Sequence, residues 1–103
     1  EVAGIGAVLA LDAANNIVVS RIIYGGAAAQ VKPSDLFGED RLKRLDHILE
    51  VDERDVRGLS PADLRPLLVG PVGSFVRLKI KRAKYDVPID IEIRRKSSQM
   101  QTQ

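Results

Sequence analysis

The chain of 103 residues is long enough for one small hydrophobic core and too short for two. With 45% apolar and 29% charged residues it has ordinary globular composition, and a net charge of +2 is too small to argue by itself for a nucleic-acid partner. The absence of cysteine excludes disulfides and cysteine-ligated zinc, and no apolar run approaches the roughly 18–20 residues of a membrane span.

Phe37, Phe75, Tyr24 and Tyr85 are the only aromatic residues, so the core must be aliphatic. No secretory signal pattern is present, and a chain that begins at Glu1 rather than Met reads as a piece of a longer protein. The lack of cysteine leaves the redox compartment open; a cytoplasmic location is the expectation.

Residues 8–11 form an apolar run ending at Asp12, and Asn15-Asn16 supplies turn chemistry before IVVSRII, which together read as a β-hairpin. Gly25-Gly26 breaks the second strand, and residues 27–30 start a short helical turn. KPSDLFGEDRLKR, residues 32–44, mixes Pro, Gly and charge and reads as an exposed loop. A strand through Ile48, Leu49 and Val51 follows, then a turn at 52–54 and a short strand at Val56. Ser60-Pro61-Ala62-Asp63 is a helix start, with Ser60 to cap, Pro61 at the first helical position and Asp63 to complete a capping box. The helix is expected to run to about Val69 and to stop at Gly70-Pro71, with Pro66 removing a donor and kinking it.

The last third alternates most clearly. Val76, Leu78 and Ile80 interleave with Arg77, Lys79 and Lys81, and Ile89, Ile91 and Ile93 with Asp90, Glu92 and Arg94. With a hairpin loop at 83–86, Ile80 faces Ile89, Lys79 faces Asp90, Leu78 faces Ile91 and Arg77 faces Glu92. The polar tail, 97–103, is expected to be disordered. Strand, strand, short helix, strand, short strand, helix, strand, strand predicts an α+β domain over residues 1–96. Its architecture would be a small, partly open β-barrel or sandwich of five to six strands capped by two helices.

Catalytic patterns are missing. A dinucleotide loop needs a strand before its glycines, a helix after them and a third glycine, but GIGA near the start is followed by a strand and has no third glycine. His47 is the sole histidine, and its neighbour Asp46 would point to the opposite face of a strand. Ser20, Ser60 and Ser74 sit in no nucleophile elbow, and Asp35, Glu39 and Asp40 lack Ca²⁺-loop spacing. No catalytic residue, metal ligand or cofactor is assigned, and the chain itself is not read as an enzyme. Arg77, Lys79, Lys81, Arg82, Lys84, Arg94, Arg95 and Lys96 form a basic stripe that suits acidic lipid or nucleic acid. No aromatic interleaves them, and Asp90 and Glu92 partly neutralise them, so a solvated strand face is the plainer reading. Nucleic acid is not expected, and membrane contact only peripherally.

Taken together, GIGA, VVSRIIYGGAAAQ, RLKRLDHILEVD, VRGLSPADLRPLL and VGSFVRLKIKR resemble a PDZ domain in order and spacing, over residues 4–82. The resemblance implies that Gly4, Ile5, Gly6 and Ala7 form a carboxylate-binding loop and that Val8, Leu9 and Ala10 pair with an extended peptide. The helix would form the other wall of the groove, through Pro61, Arg65 and Leu68. Ile5, Ala7, Leu9 and Leu68 would then hold the ligand's last side chain. Pro61, where a histidine would favour Ser or Thr, implies an apolar or loosely selected third-from-last residue, and Arg65 would attract an acidic side chain. Leu45 stands where glycine is usual, and Ala7 is smaller than the usual apolar residue.

The physical basis is simple. Successive backbone N–H groups in a glycine-permitted turn converge on an anion, and an open strand edge accepts a peptide. The expected partner is a protein C-terminus with an apolar last residue; the oligomeric state is not readable. YDVPIDIEIRR, with LRPLLVGPVGS, also looks like the PDZ domains of C-terminal processing proteases, where such a domain delivers or senses substrate C-termini for a serine protease domain. A regulatory role in a multidomain protease is therefore one alternative, and acidic-lipid association through the basic face another. Gly6→Val is expected to weaken peptide binding more than folding, because a β-branched side chain disfavours positive φ and closes the nest.

Overall fold

Asp12 closes the first hairpin with its own side chain. Its Oδ1 accepts the N–H groups of Ala14 and Asn16 at 2.9 Å each, while Asn15 takes φ = +66°, a conformation asparagine tolerates well. In the computed structural model, which describes residues 2–23, 26–29 and 41–96, this turn joins β2 (Ala7–Leu11) to β3 (Ile17–Ile22). Tyr24, Gly25, Gln30, most of the expected 32–44 loop and the expected disordered tail, 97–103, lie outside the described residues.

Two short strands go beyond what the sequence predicts. β1 (Val2–Ala3) pairs with β6 (Gly70–Pro71), so the Gly-Pro step that stops the helix also ties down the start of the chain. β4 (His47–Val51) turns into β5 (Arg54–Asp55) through Asp52 and Glu53, both with positive φ as a tight hairpin turn requires. β7 (Phe75–Lys81) and β8 (Ile89–Arg94) follow helix α1 (Pro61–Leu68). The main sheet is antiparallel and open, in the order β2-β3-β4-β7-β8, with β5 attached to β4.

The β7–β8 register is the one the alternation predicts: Ile80 opposite Ile89, Lys79 opposite Asp90, Leu78 opposite Ile91 and Arg77 opposite Glu92. Val76, Leu78 and Ile80 are fully buried against Val19, Val56 and Leu64, which gives the aliphatic core. Ser60 and Asp63 form the expected capping box: Ser60 Oγ accepts the Asp63 N–H at 3.1 Å, and Asp63 Oδ2 accepts the Ser60 N–H at 3.3 Å. The helix runs on through Pro66, and the Val69 N–H closes it on the Arg65 carbonyl at 3.2 Å.

The expected pair of helices is corrected to one. Among the described residues only α1 is an α-helix, and Ala27–Ala29 make a single 3₁₀ turn. The backbone explains this: the Gly26 N–H donates to Ile23 O at 3.0 Å and the Ala28 N–H to Ile5 O at 2.7 Å. These bonds tie the turn to Ile23 and to the 4–7 loop, using donors that have no partner within the first turn of a helix. The result is a small, mostly β domain with one helix and an open sheet.

The basic stripe is also corrected. Arg82 is not a free surface cation: its Nε and Nη2 meet Asp46 Oδ1 and Oδ2 at 2.9 and 2.8 Å, and Asp46 is only 2% exposed. Arg95 is buried as well. Parity along the strands carries the reason. Residues 76, 78, 80 and 82 share one face of β7 and its continuation, and 89, 91, 93 and 95 share one face of β8, so both arginines extend the apolar face. The 41–44 stretch is not wholly exposed either, since Leu42 belongs to the core.

Leu45 has φ = +77° while 61% of its surface stays exposed. A left-handed leucine costs about 1–2 kcal/mol, and the lost contacts at so exposed a site are few. Glycine's extra unfolded-state freedom returns about 0.5–1 kcal/mol of that. Leu45→Gly is therefore expected to raise stability by up to about 1 kcal/mol in urea unfolding, the surplus of the first effect over the second. A lower midpoint would contradict it.

Candidate functional site: a cleft between β2 and α1

Gly6 sets the shape of the loop that precedes β2. It has φ = +75°, and a Cβ at this position would lie 2.7 Å from the Ala27 backbone nitrogen and 3.0 Å from Gly26 Cα. Only a residue without Cβ lets the loop press against the 3₁₀ turn. The loop is held from both sides. The Ile23 N–H donates to Gly6 O at 2.9 Å, the Ala28 N–H donates to Ile5 O at 2.7 Å, and the β1–β6 pair anchors its beginning.

This anchoring leaves donors over. Because Ile23 N–H bonds Gly6 O, Ala7 and Ile22 are a non-hydrogen-bonded pair, and the Ala7 N–H points away from β3. Among the described residues, no acceptor meets the N–H groups of Ile5 and Gly6. β2 pairs only with β3, so its other edge is open toward α1.

Between that edge and the helix lies a cleft of about 390 Å³. Gly4, Ile5, Gly6 and Ala7 line it, together with Val8 and Leu9 of β2 and Pro61, Arg65 and Leu68 of α1. Nine of the sequence-predicted positions thus share one cavity, of a size typical of small-ligand sites. Ala10 does not reach it, lying farther along β2 opposite Val18. Pro66 is exposed and faces elsewhere. Sequence reasoning missed Ile23, Gly26, Ala27, Val69 and Lys96, which complete the lining. Val69 is legible in hindsight as the residue after Leu68; Lys96 carries no local signal, because it arrives from the far end of the sheet.

Arg95 positions the helical wall. Its Nε donates to Leu68 O at 2.8 Å, satisfying a carbonyl at the helix end, and its Nη1 donates to Ser74 Oγ at 2.9 Å and Phe75 O at 3.2 Å. The guanidinium fits only because residue 70 is glycine, since a Cβ there would sit 2.7 Å from Arg95 Cζ.

The shifted titratable groups stand apart from the cleft. The Asp55 carboxyl is drawn down to about 2, chiefly by the hydrogen bond from the Arg57 side chain, in the exposed turn after β5. Asp12 is lowered mainly by the Asn16 backbone N–H, and its Oδ2 lies 3.6 Å from His47 Nε2. Asp46 faces the interior and Arg82, so Asp46 and His47 form no dyad. Among the described residues no three His, Asp or Glu side chains converge as a metal site would need.

The chain matches no protein-family model and no curated protein. Its fold is similar to part of a solved structure, the photosystem II D1 C-terminal processing protease, with a TM-score of 0.71 and 24% identity over 92% of this chain. The shared region makes up 23% of that protease, so this chain spans about a quarter of the length of the structure it resembles. What the likeness establishes is the fold: a small antiparallel domain with one helix, of the kind carried within a C-terminal processing protease.

Proposed function

We propose that the chain is a PDZ-like module that binds the free C-terminus of a partner protein as an added strand between β2 and α1. One observation carries the reading. In a single cleft, the N–H groups of Ile5 and Gly6, which meet no acceptor among the described residues, lie beside an aliphatic wall of Ile5, Ala7, Leu9 and Leu68. Such a nest suits a carboxylate, the wall suits an apolar last side chain, and the open β2 edge suits the backbone between. No cofactor is required.

Fluorescence polarisation with hexapeptides ending in Val, Leu, Ile or Phe tests this. Free acids should bind and their C-terminal amides should not; equal affinity for the two forms would refute the reading. Leu68→Ala should lower affinity by about 1–3 kcal/mol if that side chain contacts the last residue. The measurement must be made well below the variant's melting temperature, since Leu68 is also part of the core.

A second reading places the same cleft in the service of a larger protease, as a sensor of substrate C-termini. The fold likeness to a C-terminal processing protease favours it. A full-length chain without a serine protease domain would exclude it. Lipid association through the basic face has less support, because Arg82 is ion-paired and Arg95 buried. Liposome binding unchanged by Arg77→Glu with Lys79→Glu would remove it.

A further inference from the structure

The cleft is one-sided in charge. Two side chains in its lining are cationic, Arg65 and Lys96, and no Asp or Glu lines it among the described residues. Three other cations are held by partners: Arg57 has Asp55, Arg82 has Asp46 and Arg95 has the carbonyls of Leu68 and Phe75. Arg65 and Lys96 make no ion pair or side-chain hydrogen bond among the described residues. An apolar cleft with uncompensated charge of one sign concentrates ligands of the other.

The two cations sit at different depths. Lys96 follows Arg95, whose Nε holds Leu68 O, and it lines the cleft together with the 4–7 loop, Val69 and Leu68. Arg65 lies three residues earlier, about 4.5 Å along the helix axis, which equals one to two residues of an extended strand at about 3.3 Å each.

Resting on the carboxylate reading above, we infer that the cleft selects doubly anionic tails. Lys96 serves the terminal carboxylate, and Arg65 serves an acidic side chain one or two residues before an apolar end. Lys96 adds long-range attraction to the short-range N–H donors. Arg65 makes the ligand class narrower than "apolar C-terminus".

The test uses labelled hexapeptides ending in Val, with Glu, Gln or Lys at either of the two preceding positions, as free acids and as amides. Wild type, Arg65→Gln and Lys96→Gln are compared at low and high salt, with thermal melts to verify folding. The Glu free acid should bind wild type roughly threefold to tenfold more tightly than the Gln peptide, and the Lys peptide more weakly still, with the differences shrinking in salt. Arg65→Gln should erase the Glu preference. Lys96→Gln should reduce the free-acid to amide ratio while leaving the Glu preference intact. Equal binding of Glu and Lys peptides by wild type, or an unchanged acid-to-amide ratio in Lys96→Gln, overturns the inference and leaves the carboxylate reading standing. Acids and amides bound equally by wild type, or no peptide bound at all, overturns both.

Discussion

Gly6→Val should lower the stability of the domain by about 3 kcal/mol or more, and with it abolish the proposed peptide binding. Two costs add at this position. A β-branched residue at φ = +75° is strained, and its Cβ would stand 2.7 Å from the Ala27 backbone nitrogen, which cannot move without dragging the 3₁₀ turn. For a domain of this size the loss corresponds to a fall in Tm of roughly 12 °C or more. The sequence alone predicts a loss mainly of binding, but the structure revises this. The carbon that would close the nest is the one that strikes Ala27, so folding and binding fall together. Gly6→Ala, with the same collision and less strain, should fall between. A Gly6→Val protein that melts with the wild type would mean that the loop and the 3₁₀ turn do not pack as described.

Asp46→Ala should cost about 3 kcal/mol, the lower end of the range for breaking a buried ion pair. Asp46 Oδ2 accepts the Lys43 N–H at 2.7 Å as well as Arg82 Nη2, and Arg82 Nη2 also donates to Arg41 O at 2.8 Å. Arg82 is raised above its ordinary value, first by its hydrogen bond to Asp46, so the folded state holds its charge where solvent reaches little of it. Removing the carboxylate takes the ion pair from that charge and leaves the Lys43 N–H without its acceptor. Arg82→Met added to Asp46→Ala should restore part of the loss, because two apolar groups of similar volume need no partner. Urea unfolding of the four proteins gives the coupling directly. A single-mutant loss below about 0.5 kcal/mol would show that solvent screens the pair.

The two tests bear on one part of the design. Asp46 and Arg82 hold the 41–46 segment against the end of β7, while Arg95 holds the end of α1 against the start of β7. Arg95 thus holds the helical wall of the cleft, a polar group that does not itself line it.

How much was legible in the sequence follows from the range of each signal. Period-two alternation is local, and it determined the β7–β8 register and the aliphatic core face; the same parity one step past each strand puts Arg82 and Arg95 on that face. Ser60 and Asp63 determined the start of α1, because a capping box closes within four residues. Gly4, Ile5, Gly6 and Ala7 announced a tight loop before a strand. Only the tertiary structure decided the rest. The alanines after Gly26 make a 3₁₀ turn that is tied to the 4–7 loop through the Ala28 N–H and Ile5 O. Asp46 finds Arg82 across 36 residues of sequence, and Lys96 reaches a cleft whose other residues lie 27 or more positions earlier. No local pattern encodes those meetings, since each depends on where two separately folded segments come to rest.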